Sequence, residues 1–193
     1  MRKTWMVLLC LLLLSGCGKE KQSAALQSQY AAMTGAELAA EIAVHLPDEI
    51  RQYQVNCSYS ARGDSHIVIT APDTLAGIEA DVSGDDLTLT YEDLTLSAGT
   101  LEEISPANCL PWMLRAAASG YVLEEGNETI VGRDCLRVAF DTTGGNGEKV
   151  VCTTWFDRET NEPVYSEFSL NGELRMTVKV ISFTSDTEAS AKP

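Results

Sequence analysis

Tyr53-Gln54-Val55-Asn56-Cys57-Ser58-Tyr59-Ser60 alternates bulky or apolar residues with small polar ones at every step. A strand sends successive side chains to opposite faces, so this stretch reads as β, with Tyr53, Val55, Cys57 and Tyr59 on a dry face. An amphipathic helix would bring its apolar residues back every three or four positions instead. Toward the C-terminus, Ala61-Arg62-Gly63-Asp64 reads as a turn into a strand at His66–Thr70. Further strands follow at Ile78–Val82, Leu87–Tyr91 and Leu94–Ser97, separated by Ser83-Gly84-Asp85 and Glu92-Asp93.

On the N-terminal side the period changes. Thr34-Gly35-Ala36-Glu37 has the spacing of a capping box, in which the threonine and the glutamate each satisfy a free backbone N–H. Leu38, Ile42 and Leu46 then recur at helical spacing, with Ala39 and Ala43 beside them, and Pro47 follows. The expectation is a helix over 34–46. A second helix is expected at Pro106 to Gly120, around Pro111-Trp112-Met113-Leu114-Arg115 and three alanines. Beyond it, strands are expected at Tyr121–Glu125, Thr129–Val131, Leu136–Phe140, Lys149–Phe156, Val164–Leu170 and Glu173–Phe183.

Short alternating strands with regular turns imply an antiparallel meander. The expected class is mainly β (α+β), a strongly curved antiparallel sheet with helices laid on its dry side. A sandwich is the structural alternative.

The first seventeen residues have a separate logic. Met1-Arg2-Lys3 is basic, Trp5 to Leu14 is apolar, and Leu14-Ser15-Gly16-Cys17 closes the segment with small residues. That is the layout of an export signal, and the apolar run is too short for the roughly 20 residues that a spanning helix needs. The Leu-Ser-Gly-Cys ending resembles the lipobox of bacterial lipoproteins, which implies cleavage before Cys17 and lipidation of its thiol. The expected place is the extracytoplasmic face of the cell membrane. The chain then divides into a lipoprotein signal peptide (1–17), a tether (18–33), a half-barrel domain (34–185) and a frayed tail (186–193).

Beyond the anchoring Cys17 lie 176 residues, 18–193, ample for one core, and cleavage takes Arg2 and Lys3 away, so the formal net charge moves from −14 to −16. A field of that sign disfavours nucleic acid and anionic headgroups, and no basic stripe that would bind nucleic acid appears.

Besides the anchor, the mature chain holds Cys57, Cys109, Cys135 and Cys152, which allow three pairings in an oxidising compartment. A hairpin around Gly144-Gly145-Asn146-Gly147 that sets Leu136 against Val151 and Val138 against Lys149 also sets Cys135 against Cys152. Facing Cβ atoms lie within about 5.5 Å, so this register favours a Cys135–Cys152 disulfide and leaves Cys57 with Cys109. A shift of one residue would separate the sulfurs.

Val131-Gly132-Arg133-Asp134-Cys135-Leu136-Arg137-Val138 leads to Thr154-Trp155-Phe156-Asp157-Arg158-Glu159-Thr160-Asn161-Glu162-Pro163-Val164, then to Asn171-Gly172-Glu173 and a last strand ending at Phe183. This succession resembles the C-terminal half of the LolA-like lipoprotein-carrier superfamily, where a W-x-D-x-x-T-x-x-P turn joins two long strands. It also resembles lipid-anchored Gram-positive members, including a spore-germination branch. The resemblance covers about residues 35–183 in layout and 130–183 in motif. It implies a half-barrel whose concave apolar face is covered by helices, with a cavity for acyl chains lined by Leu38, Ile42, Trp112, Met113 and Leu114. The implied partners are an acyl lipid or a lipoprotein. The alternative is a filled core, with the outer surface recruiting an envelope protein such as a cell-wall or spore-cortex hydrolase. A chain carrying its own lipid anchor departs from freely diffusing carriers, and long-range shuttling does not follow from the resemblance.

Catalytic patterns are scarce. The sequence holds neither a G-x-S-x-G elbow nor an S-x-x-K pair. Asp64, Ser65 and His66 are adjacent, whereas triad members converge from separate elements. With two histidines and no CxxC, a zinc site is not indicated. The reading is therefore a non-enzymatic protein without cofactor.

Overall fold

A computed structural model describes residues 22–84, 86–100, 104–142 and 149–187. In chain order these residues form α1 (Gln22–Ala31), β1 (Met33–His45), β2 (Ile50–Ser60), β3 (Ser65–Ala71), β4 (Glu79–Ser83), β5 (Asp86–Tyr91) and β6 (Leu94–Thr100). Then come α2 (Cys109–Ser119), β7 (Tyr121–Ile130), β8 (Arg133–Asp141), β9 (Val150–Asp157), β10 (Pro163–Leu170) and β11 (Glu173–Thr187). The strands make one antiparallel sheet in the order β6-β5-β4-β3-β2-β1-β11-β10-β9-β8-β7. Each strand therefore lies beside its neighbours in sequence, except that β6 and β7 are parted and β1 and β11 meet in the middle.

The sheet stays open, with β6 and β7 at its edges. The chain crosses between those edges through α2, which packs on β2, β8 and β9 and against α1. One buried cluster gathers the inward residues of most strands, including Val55, Val82, Val138, Phe140, Phe156, Phe168 and Val178, together with Leu110, Met113 and Leu114 of α2. This is the curved sheet with helices on its dry side that the alternation implies, and it excludes the sandwich.

The helix expected over 34–46 is a strand. β1 buries Ala36, Leu38, Ala40 and Ile42 and exposes Glu37 and Glu41. A spacing of four satisfies both a helix and a strand, so Leu38 and Ile42 fit either period. The residues that separate the two readings are alanines, which are small enough to be read as neutral. Pairing decides: β1 is bonded on both sides, with Leu38 opposite Cys57 on β2 and Phe183 on β11. The wet face carries its own cross-strand contacts, Glu37 accepting from Ser58 at 2.7 Å and Lys179 meeting Glu41 at 3.0 Å.

The true helix starts earlier, inside the expected tether. α1 buries Leu26 and Tyr30. Its backbone is fixed at one end by Ser23 N–H donating to Glu125 (3.0 Å), and its side chains by Gln27 donating to the Gly120 carbonyl (2.7 Å) and Tyr30 donating to the Asn161 carbonyl (2.9 Å).

α2 ends at Gly120, whose N–H bonds the Ala116 carbonyl at 2.7 Å. A Cβ there would lie 2.6 Å from that oxygen, so only glycine permits the sharp exit into β7. The segments expected at 121–125 and 129–131 are parts of one strand, β7, bulged between Val122 and Glu124.

The β8–β9 register also differs from the expected one. Phe140 faces Cys152 and Cys135 faces Asp157. The two cysteines belong to opposite faces: Cys152 joins the main core, whereas Cys135 sits in a small outer cluster with Trp155 and Val164. A Cys135–Cys152 bridge is therefore not formed, and Cys57, Cys109, Cys135 and Cys152 are all free thiols.

Cys17, the expected export signal, the turn expected around Gly144–Gly147 and the last six residues, 188–193, lie outside the described residues.

Candidate functional site: the covered concave face

The W-x-D-x-x-T-x-x-P segment is a clamp between β9 and β10. Asp157 Oδ1 accepts the backbone N–H of Glu159 (2.8 Å) and Thr160 (3.2 Å), while Asp157 N–H bonds the Glu162 carbonyl (2.9 Å). Asn161 takes a left-handed φ of 60°, which asparagine tolerates better than most residues. Its carbonyl receives Tyr30, and its side chain donates to Gln29 Oε1 (2.9 Å), so the turn is where α1 docks. Burial, with Glu162 nearby, raises the Tyr30 phenol well above its ordinary range and keeps it a neutral donor. On the outer face, Trp155 packs on Tyr165, lies under Arg137 (5.7 Å) and donates Nε1–H to Glu128 (3.0 Å).

The concave face brings the five expected cavity residues together, and it brings them together as packed core. Leu38 is 3% exposed, Ile42 1%, and Met113 and Leu114 are fully buried. Trp112 is partly buried against the same cluster. A side chain lining a water-sized void would keep accessible surface, so these four are packed where α2 meets the sheet. Beneath it runs a short polar seam, with Ser166 Oγ 2.8 Å from Thr154 Oγ1 and 3.0 Å from Met113 Sδ. Cys152 Sγ lies 3.6 Å from the same threonine. These groups satisfy one another, and none of the seam's partners is a base.

Cys57, Cys109 and Cys152 all belong to this core. Burial pushes the Cys57 and Cys152 thiols up to about 12. Cys109 is raised further, by burial first and then by the nearby Cys57 and Cys152. Such thiols are poor nucleophiles at neutral pH.

A groove of about 680 Å³ opens at the surface between α1, the end of α2 and the start of β7, lined by Ser23, Ala24, Gln27, Ala31, Ala118 and Tyr121 among others. The sequence reading missed it, because residues 22–31 carry little apolar periodicity beyond Leu26 and Tyr30.

The remaining candidates fall apart in space. His66 Nδ1 is 2.8 Å from Asp81 and its Nε2 is 3.8 Å from Glu79, both on β4. Ser65 Oγ instead accepts from Ser60 N–H, so the adjacent Asp64-Ser65-His66 is no triad. His45 ends a strand, where a helix end was expected. Among the described residues, no group of three His, Cys, Asp or Glu could hold a metal ion. No helix among them is long and apolar enough to cross a membrane.

Comparison with known structures gives the class. A lipoprotein-sorting protein domain of the outer membrane from Vibrio parahaemolyticus is similar at a TM-score of 0.50 and 10% identity, with 89% of this chain and 92% of that one covered. An uncharacterized conserved protein from Thermus thermophilus is similar at 0.53 and 8% identity, covering 88% and 90%. A DUF1329 family protein from Desulfovibrio piger is similar at 0.51 and 12% identity, covering 87% and 92%. The chain shares the fold of these proteins: an open, curved antiparallel sheet with helices on its concave side. In sequence, no family model and no curated protein matches it.

Proposed function

We propose that this protein is a membrane-anchored, non-enzymatic envelope lipoprotein, held by lipid on Cys17 at the extracytoplasmic face, which binds a protein partner through its outer surface. One observation supports the reading: α2 lies against the dry side of the sheet, with Met113 and Leu114 fully buried in the core. The polar groups under that helix are mutually satisfied and the core thiols are protonated, which supports binding over catalysis. Crosslinking of the native lipoprotein in its own membrane tests it. Recovery of one envelope protein, lost when outer-face residues are changed, is the expected result; random neighbours would overturn it.

A second reading has its own support. One of the similar structures is named for lipoprotein sorting, and the groove opens between α1, α2 and β7. Displacing Leu110, Met113 and Leu114 from the sheet costs about 1.5–3 kcal/mol each, whereas an acyl chain gains ~0.8 kcal/mol for each CH₂ buried. A chain of sixteen carbons would offset the loss. Native mass spectrometry of the leaderless protein, purified without detergent and then mixed with phospholipid and with a diacylated lipopeptide, separates the two. An apo mass that stays unchanged favours the filled core; a stoichiometric adduct favours lipid carriage.

A further inference from the structure

The distance between the lipid and the folded domain is short. Only residues 18–21 separate Cys17 from the first residue of α1, so the five steps span at most roughly 17 Å when fully extended. α1 cannot lengthen this leash by swinging away, because Leu26 and Tyr30 are buried and Ser23, Gln27 and Tyr30 are bonded to Glu125, Gly120 and Asn161. The end of the domain that holds the α1 N-terminus must therefore stay near the bilayer whenever Cys17 is lipidated.

That end has the chemistry of a lipid-facing surface. Tyr121, which lines the open groove with Ser23 and Ala24, is 74% exposed, and Leu123 is 43% exposed. Tyrosine suits the boundary between headgroups and acyl chains, with an apolar ring and a polar tip. The carboxylates beside it are engaged: Glu125 accepts Ser23 N–H, and Glu124 meets Arg137 at 2.6 Å.

We infer that the start of β7, with Tyr121 and Leu123 at its centre, is a docking surface for the bilayer itself, which fixes the half-barrel in one orientation. The inference rests on the reading of Cys17 as lipidated. It deepens the proposed function, since a partner would then meet the other end of β7, at the β7–β8 turn.

The test uses the lipidated full-length product in phosphatidylethanolamine–phosphatidylglycerol vesicles that contain a quencher-bearing lipid. One fluorophore is placed at Leu123→Cys and another at Val131→Cys, which is 62% exposed and roughly 26 Å further along the hairpin. Flotation with the vesicles, lost in Cys17→Ala, is the expected control for the anchor. Quenching at 123 is expected to exceed that at 131 at least five-fold, and Tyr121→Asp is expected to bring it down to the level of 131. In the unlabelled protein, amides 121–125 should exchange more slowly on vesicles than for Cys17→Ala in solution. Protein that floats but shows equal quenching and unchanged exchange overturns the docking surface and leaves the anchor standing. Protein that does not float overturns the anchor, and the docking surface with it.

Discussion

Leu114→Ala distinguishes a filled concave face from an open one by its energy alone. Leu114 is fully buried in α2 and lies in the same cluster as Met113, Phe140 and Phe156. The truncation removes three carbons, about 2.4 kcal/mol of transfer free energy at ~0.8 kcal/mol per CH₂. The vacated space adds about 24 cal/mol for each Å³ that does not collapse, for a total of about 3–5 kcal/mol. Had the residue lined an existing void, its lost carbons would have few packing partners, and the cost would fall to about 1 kcal/mol or less. Urea unfolding of the leaderless protein, followed by tryptophan fluorescence, reads the difference as a change in midpoint at constant slope. Leu94→Ala is the control, because Leu94 is 75% exposed and its truncation should stay within about 0.5 kcal/mol. A loss below about 1 kcal/mol for Leu114→Ala, with Leu94→Ala unchanged, would refute the packed plug.

Asp157→Ala leaves the N–H groups of Glu159 and Thr160 without their acceptor and should cost about 1–2 kcal/mol in the same assay. Tyr30→Phe removes the donor to the Asn161 carbonyl; a loss of about 1 kcal/mol is expected, and no loss would mean that α1 is not pinned there. The thiols give a pH signature. Cys57 and Cys152 have folded values raised from 9.0 to about 12, so their neutral form is favoured in the fold. Their contribution to stability is complete below about pH 9 and is lost as pH rises toward 12. Denaturation midpoints should hold from pH 8 to 9 and fall from pH 9 to 11, and Cys57→Ala with Cys152→Ala should flatten the decline. A thiol reagent at pH 8 should leave Cys57, Cys109 and Cys152 unmodified until the protein is unfolded. Rapid labelling of the native protein would contradict their burial.

Much of the fold was legible because β alternation is a local signal. Tyr53–Ser60, His66–Thr70 and Leu87–Tyr91 each announce a half-buried strand, and the structure places them in β2, β3 and β5. The helix around Pro111–Arg115 was legible for the same reason, since bulky residues crowd one stretch between a proline and a glycine. The five residues named for the concave face do gather in one cluster, although they come from a strand and a helix where two helices were expected. The groove between α1 and β7 had no comparable signal, because it is made of alanine and serine brought together by tertiary contacts.

Sequence by itself determined the one-faced meander, the turns at Gly and Asn, and the helical crossing, each a consequence of side-chain period within about ten residues. It also carries the basic start, the apolar run and the Leu-Ser-Gly-Cys ending on which the anchor proposal rests. Only the tertiary structure decided that 33–45 is a central strand, that Cys135 and Cys152 face opposite ways, and that Leu38, Ile42, Met113 and Leu114 are buried together. Those three depend on what lies across from a residue, and a spacing of four or a shift of register looks the same along the chain until a partner strand fixes it.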